Sequence, residues 1–241
     1  MEIRNNTPNL NFNARLISKA VTHVGKNEIS LYKLGAEDKG FLDNFVSRAN
    51  LKKLYPTDSS YDGFLEWNAI IKTSALKAGR DNVIMATCDK RPCGFLIFKE
   101  KPHKKLHITK LVTWGVRKDV KPPHVGKILM HSVFSEAQKD QMKSIYFLPS
   151  PDISLGKSDY AFYEKINFKA SDSITDERYT FDCANLGKSK AQLEHFFDIK
   201  NERDIKDVNL TKELSLTYHE TLKEKIFSLL KGLANKANLT K

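Results

Sequence analysis

Residues 114–130 read W-G-V-R-K-D-V-K-P-P-H-V-G-K-I-L-M, a basic loop set between a β-forming run and an apolar helical repeat. A strand that feeds through such a loop into a helix N-terminus presents main-chain N–H groups without intrahelical partners, together with a partial positive charge. That end binds phosphate, and Gly126 leaves the approach to the main chain free of a Cβ. A glycine that merely starts a helix has the same spacing, so the loop alone leaves both readings open. No Ser-His-Asp, metal-ligand or Walker-type spacing occurs elsewhere. The three cysteines, Cys88, Cys93 and Cys183, form no CxxC pair and read as reduced thiols of a cytoplasmic protein rather than a zinc site or a disulfide framework.

The elements that must hold this loop follow from periodicity. Residues 1–28 are polar, with five asparagines in the first thirteen positions, and read as a loosely docked arm. Residues 29–34 have strand composition. Helical spacings follow over 36–50 (Phe41, Leu42, Phe45, Val46) and over 60–78. Two β runs, 83–88 and 93–99, flank Asp89, Lys90, Arg91 and Pro92, which suit a four-residue hairpin loop. A third, 106–116, places Leu106, Ile108, Val112, Trp114 and Val116 on one parity, with Lys110 and Leu111 breaking the alternation, as a bulge or a splayed strand end would. Val125, Leu129, Val133 and Ala137 then repeat every fourth residue, and Ile128 and Ser132 widen the stripe into a buried helical face. Residues 144–148 are a short strand, completing the strand–helix–strand pattern of a parallel crossover. Ser158 caps a helix through Ile166, with Asn167 at the position where a left-handed residue ends it, and β-like stretches surround Phe168 and residues 179–181. From Leu186 onward only helices are expected, at 191–199 and at 212–233. The second has Thr211 as N-cap and an apolar stripe that could dock on the core, self-associate, bind a partner or lie on an anionic membrane.

The chain of 241 residues, 40% hydrophobic and 29% charged, fits one folded domain with appendages. Its apolar runs, such as residues 93–98, fall far short of the roughly 20 residues a bilayer requires, and its N-terminus lacks an apolar signal core, so neither a membrane span nor secretion is expected. The net charge of +11 implies an anionic partner, yet it is scattered, as on a solvated surface. Nucleic-acid binding would need a recognition motif or a basic stripe interleaved with aromatics, and neither is present.

The order strand, helix, helix, strand, strand, long strand, phosphate loop, helix, strand, helix resembles the GNAT family of acyl-CoA-dependent N-acetyltransferases over residues 29–182. Two motifs carry the resemblance. The family's acyl-CoA loop, [RQ]-x-x-G-x-[GA], is matched by Lys121, Pro122, Pro123, His124, Val125 and Gly126, preceded by Val116 and followed by K-I-L. The run Y-A-F-Y-E-K-I-N-F-K at 160–169 is similar to the family's L-Y-x-K-x-G-F signature. The resemblance implies an α/β (α+β) fold: a mixed, mostly antiparallel sheet with a splayed parallel strand pair and flanking helices. It divides the chain into a polar arm (1–28), a GNAT-like acyltransferase domain (29–182) and a helical C-terminal extension (183–241).

It further implies acetyl-CoA as co-substrate and a primary amine as acceptor. Pantetheine would lie along the strand end at Trp114 and Val116, and pyrophosphate on the amides of Val125, Gly126 and Lys127, with charge added by Lys121 and Lys127. Tyr163 matches the tyrosine that protonates the departing thiolate, with Tyr160 as a fallback, and a main-chain amide at a strand bulge near residues 114–116 would hold the oxyanion. Residues 106–116 hold no carboxylate, so His107 is their one titratable group suited to act as a base at neutral pH, with Asp119 or Glu66 acting through water as alternatives. The loop departs from the pattern at Lys121, at Pro122 and Pro123, which have no N–H to donate, and at His124, which replaces the first glycine. His124 tolerates a positive φ, and its ring could donate to phosphate or obstruct it. A non-catalytic interaction module with a basic surface is the competing reading.

Overall fold

The computed structural model describes residues 14–35, 38, 82–113, 122–148, 157–171, 178–200, 206–210 and 214. The expected helices at 36–50, 60–78 and 212–233 lie outside the described residues. Apolar side chains on both parities between residues 82 and 98 require a strand pair covered on both faces. The chain meets this with β3 (Asn82–Cys88) and β4 (Arg91–Lys101), in which residues 83–88 and 91–98 are all buried. Their turn is tighter than the four-residue loop expected. Asp89 and Lys90 both take positive φ (50° and 60°), the two-residue geometry that matches strand twist, and Arg91 and Pro92 already belong to β4. Cys93 is the extra residue of a bulge between the pairs Ala86↔Gly94 and Thr87↔Pro92, next to Pro92, which has no N–H for the ladder.

β2 (Glu28–Leu34), β3, β4 and β5 (Lys105–Thr113) form consecutive antiparallel pairs. α1 (Val125–Lys139) then crosses to β6 (Ser144–Phe147), which pairs parallel to β5. The stripe Val125, Ile128, Leu129, Ser132, Val133 and Ala137 is buried as its spacing predicts. Lys33 donates to Glu136 at 2.6 Å and ties the far end of α1 to β2. α2 (Lys157–Lys165) ends at Asn167, whose φ of 70° turns the chain. The Asn167 amide donates to the Glu164 carbonyl and the Phe168 amide to the Tyr163 carbonyl, each at 3.0 Å, closing the helix with a Schellman motif. β7 (Lys169–Ala170) and β8 (Tyr179–Asp182) follow, and β8 pairs antiparallel with β6. The result is the mixed, mostly antiparallel sheet with flanking helices that the resemblance implies. No helix among the described residues is long and apolar enough to cross a membrane.

Two expectations are corrected. The segment read as a polar arm supplies β1 (Ala14–Thr22), which sits inside the sheet beside β2, so order begins well before residue 29. A bulge between Leu16 and Ser18 breaks its alternation, which is why no period shows. The segment read as helix only supplies α3 (Leu186–Glu194) and then β9 (Phe197–Lys200) and β10 (Lys206–Val208), both on the outer side of β1. The sheet order is β10-β1-β2-β3-β4-β5-β6-β8-β7, with β9 also on β1, so residues 14–22 and the later strands at 197–200 and 206–208 meet at one side of a single sheet. Asp182 caps the short turn before α3 by accepting from the Ala184 amide at 2.9 Å.

Beneath α1 the core is aromatic. Phe134 stacks on Phe181 at 4.7 Å and on Phe168 at 6.4 Å, all three essentially inaccessible to solvent. Phe134→Ala is expected to cost about 3–5 kcal/mol, because three elements cannot collapse together into the void. Urea unfolding at equilibrium checks this, and a loss under about 1 kcal/mol would mean that the cluster repacks freely.

Candidate functional site

The parallel pairing of β5 and β6 runs from Lys105↔Ser144 to Ile108↔Phe147 and stops, while β5 continues to Thr113. Among the described residues nothing pairs with β5 beyond Ile108 on that side, so a gap opens between the two strands. Thr109 is the extra residue of a bulge against β4, between the pairs Ile97↔Lys110 and Phe98↔Ile108, and its hydroxyl donates to the Ile97 carbonyl at 3.1 Å. The bulge switches parity: Leu106 and Ile108 enter the core under α1 before it, and Leu111 and Thr113 meet the start of α1 after it. The break in alternation expected over 106–116 is thus a bulge at Thr109; the further bulge expected near residues 114–116 lies outside the described residues. Trp114, Val116 and Lys121 lie outside the described residues, as do Asp119 and Glu66.

α1 begins in the gap's neighbourhood. Pro122 is buried, and His124 takes φ 64° and ψ 12°, the left-handed conformation a glycine would take at lower cost. His124 caps the helix without a side-chain hydrogen bond, and the first helical bond is from the Ile128 amide to the His124 carbonyl at 3.0 Å. The amides of Val125, Gly126 and Lys127 thus precede the helical ladder and have no partner among the described residues. A Cβ on Gly126 would make ordinary contacts at 3.8 Å with Leu111 and Thr113, so neither backbone conformation nor crowding within the protein requires glycine there.

The His124 ring is turned toward α3. Lys127 Nζ lies 3.2 Å from Nδ1, and Phe196 lies 4.9 Å away, centroid to centroid. Burial lowers the His124 pKa, and the charges of Lys127 and His23 lower it further, so the ring is neutral at pH 7, with Nδ1 accepting from the ammonium and Nε2 carrying the proton. Lys127 also sits over the Phe196 ring at 3.9 Å, and its own pKa is lowered by burial and then by Lys165.

Tyr163, half-buried on α2, packs 4.3 Å from Phe147, the residue at which β6 leaves β5. Phe168 meets it edge-on at 5.7 Å. Tyr163 and the start of α1 therefore share the core face of the sheet. His107 does not join them: it lies between Leu106 and Ile108 on the opposite parity, stacked on Tyr146 at 4.6 Å, one pair before the gap. Arg178 covers the same Tyr146 ring at 5.6 Å. Burial and Cys88 push the Cys93 thiol well above its ordinary value, and burial and Asp182 push Cys183 to about 11, so neither supplies a thiolate at neutral pH. Among the described residues no group of His, Cys, Asp and Glu could hold a metal ion.

Motif reasoning missed a third component. A cavity of about 930 Å³ opens between the start of α1, the end of α2 and α3, next to Lys127. Lys188 of α3, with His195 and Phe196 just after it, lines one wall, and none of the three belongs to a recognisable motif. The wall is firmly held. Asn167 Nδ2 donates to Ser189 Oγ at 2.7 Å, Ser189 donates to the Ile166 carbonyl at 3.2 Å, and buried His131 of α1 meets Glu194 of α3 at 2.7 Å.

No protein-family model matches the chain, and no curated protein is similar to it. Among solved structures, the PaiA N-acetyltransferase from Thermoplasma acidophilum in complex with coenzyme A is similar at 19% identity over 64% of this chain and 98% of its own, with a TM-score of 0.41. RimJ from Mycobacterium smegmatis in complex with CoA-disulfide is similar at 13% identity over 74% of this chain and 92% of its own, with a TM-score of 0.47. An uncharacterized protein from Bacillus halodurans is similar at 10% identity over 75% and 98%, with a TM-score of 0.46.

The α1–α3 clasp has a pH dependence of definite sign. Burial lowers the His131 pKa below its ordinary value, the bond and charge of Glu194 oppose this in part, and Lys190 reinforces it. The unfolded chain, with a His pKa of about 6.5, then takes up the proton first as pH falls, so stability present above that value is lost below it. Urea midpoints are expected to fall from about pH 7 to about pH 5, less steeply in His131→Gln; equal slopes in both chains would assign the dependence to other groups.

Proposed function

We propose that this chain is an N-acyltransferase that moves an acetyl group from acetyl-CoA to a primary amine. One observation carries the reading: three amides at the start of α1, without partners among the described residues, lie beside a β5 strand that outruns its parallel neighbour. A diphosphate seated on Val125, Gly126 and Lys127 gains charge-assisted bonds and the helix-end field, to which Lys127 and Lys121 add charge. The pantetheine amides of the same ligand then pair with the open edge of β5 over residues 109–113, as an added strand would.

The thioester is thereby set at the gap. The neutral amine attacks the carbonyl carbon, the carbonyl electrons move to oxygen, and the oxyanion is held by a main-chain amide at the Thr109 bulge. Its collapse forms the amide bond and breaks the C–S bond, and the thiolate takes its proton from the Tyr163 phenol. An amine of pKa about 10.4 must first lose a proton. The candidate bases are His107, which β5 carries on the face opposite Tyr163, and Asp119 or Glu66 acting through water.

Calorimetric titration of acetyl-CoA is expected to show binding to the native chain and none to Gly126→Glu, whose carboxylate would occupy the space over Leu111 and Thr113. Tyr163→Phe is expected to lower turnover at least about tenfold in a thiol-release assay while leaving acetyl-CoA affinity within about twofold. Undiminished turnover would remove Tyr163 from the reaction. Absence of acetyl-CoA binding by the native chain would select the non-catalytic interaction module.

A further inference from the structure

The sequence spreads its positive charge along the chain, and the sheet gathers part of it onto one face. Cross-strand partners share a face, so the register Lys99↔His107↔Tyr146↔Thr180↔Lys169 runs straight across β4, β5, β6, β8 and β7 on the side away from α1. A second row, Lys101, Lys105, Ser144 and Asp182, lies beside it. At the centre the His107 and Tyr146 rings stack within 3° of parallel, and Arg178 covers Tyr146 at 5.6 Å. Among the described residues here, this face carries five cations, Lys99, Lys101, Lys105, Lys169 and Arg178, against one carboxylate, Asp182. Over the whole chain Lys and Arg outnumber Asp and Glu only 40 to 29, so the face is far more one-sided than the composition. That excess stands next to the gap. His107 and Tyr146 lie one residue pair before the point at which β5 and β6 part. On the core side the gap is bounded by the start of α1 and by Tyr163 against Phe147, where the acyl-CoA reading puts the thioester carrier. An amine acceptor then approaches from the other side, across the cationic face. Neighbouring strands are about 4.8 Å apart, so Lys99 and Arg178, one strand away on either side of the stack, act on the gap from within a Debye length of roughly 8–10 Å. Charges so placed concentrate an anionic acceptor and repel a polycation.

We infer that the acceptor is a primary amine with carboxylates close to it, rather than a polyamine or another polycation, and that Arg178 and Lys99 are the residues that select it. The inference rests on the acyl-CoA reading above and adds the charge of the acceptor, which no motif of the chain records.

The test measures acetyl-CoA binding to the full chain by calorimetry and then follows thiol release with five acceptors. Three are amidated tetrapeptides that share one free terminal amine and differ in their two middle residues, both Glu, both Gln or both Arg; the others are free glutamate and spermidine. The Glu peptide or glutamate is expected to exceed the Gln peptide at least about tenfold in kcat/KM, with the Arg peptide and spermidine below it, and the margin should shrink in about 0.5 M salt. Whichever acidic probe leads identifies a polypeptide or a small-molecule acceptor. Arg178→Gln and Lys99→Gln should each raise KM for that probe about five- to tenfold with kcat within about twofold, and Arg178→Lys should restore most of the loss. Lys190→Gln is the charge-matched control, on α3 with its ammonium bonded to Gln138, and should change nothing. Turnover of the Arg peptide or spermidine equal to that of the acidic probes, turnover of no probe, or variant losses equal across all probes overturns the inference, while acetyl-CoA binding keeps the acyl-CoA reading. No binding of acetyl-CoA removes both.

Discussion

The length mismatch between two parallel strands governs this molecule's site. β6 stops at Phe147 while β5 continues to Thr113, and a strand cannot leave a run of main-chain donors and acceptors unpaired in an apolar interior. Something must satisfy that edge, whether water, other chain segments or a ligand. The start of α1 stands beside it with its own unpartnered amides. Two sets of hydrogen-bonding groups without partners among the described residues, one on a strand edge and one on a helix end, thus border the same space, and the acyl-CoA proposal rests on that.

The surroundings keep that space open. α1 is anchored by its buried stripe and by the Lys33–Glu136 pair, so its first turn cannot slide toward the sheet. The bulge at Thr109 redirects β5, so that Leu111 and Thr113 meet the helix start with room for a Cβ to spare. α2 is closed by its Schellman motif, which sets Tyr163 against Phe147 at the end of β6. Each of these contacts belongs to ordinary folding, and each fixes one side of the gap.

What was legible in the sequence was what local periodicity and turn chemistry encode. The β3–β4 hairpin, the crossover through α1 to β6, and the Asn167 stop of α2 all follow from patterns within ten or fifteen residues. The outer strands do not. β1 has a bulge in its middle, and β9 and β10 are too short to show a period; each of the two pairs with β1 across most of the length of the chain. The site divides in the same way. His124–Lys127 and Tyr163 lie in motifs, whereas Lys188, His195 and Phe196 reach the cavity beside Lys127 through the return of the chain to β1, a non-local event no motif records. His107 has the chemistry of a base, but the alternation that buries Leu106 and Ile108 under α1 carries it to the opposite face.

The same non-local return accounts for the loop's most conspicuous departure from the family pattern. A non-glycine residue in the left-handed region costs roughly 1–2 kcal/mol, so a histidine at position 124 needs a compensating contact. The fold supplies one from outside the resembling core: Phe196, placed by the β1–β9 pairing, packs on the His124 ring, while Lys127 hydrogen-bonds its Nδ1. Glycine would leave Phe196 without that partner. Pro122 and Pro123 also have no N–H to donate, and the C-terminal segment, through Phe196, is a structural partner of this loop rather than an appendage to it.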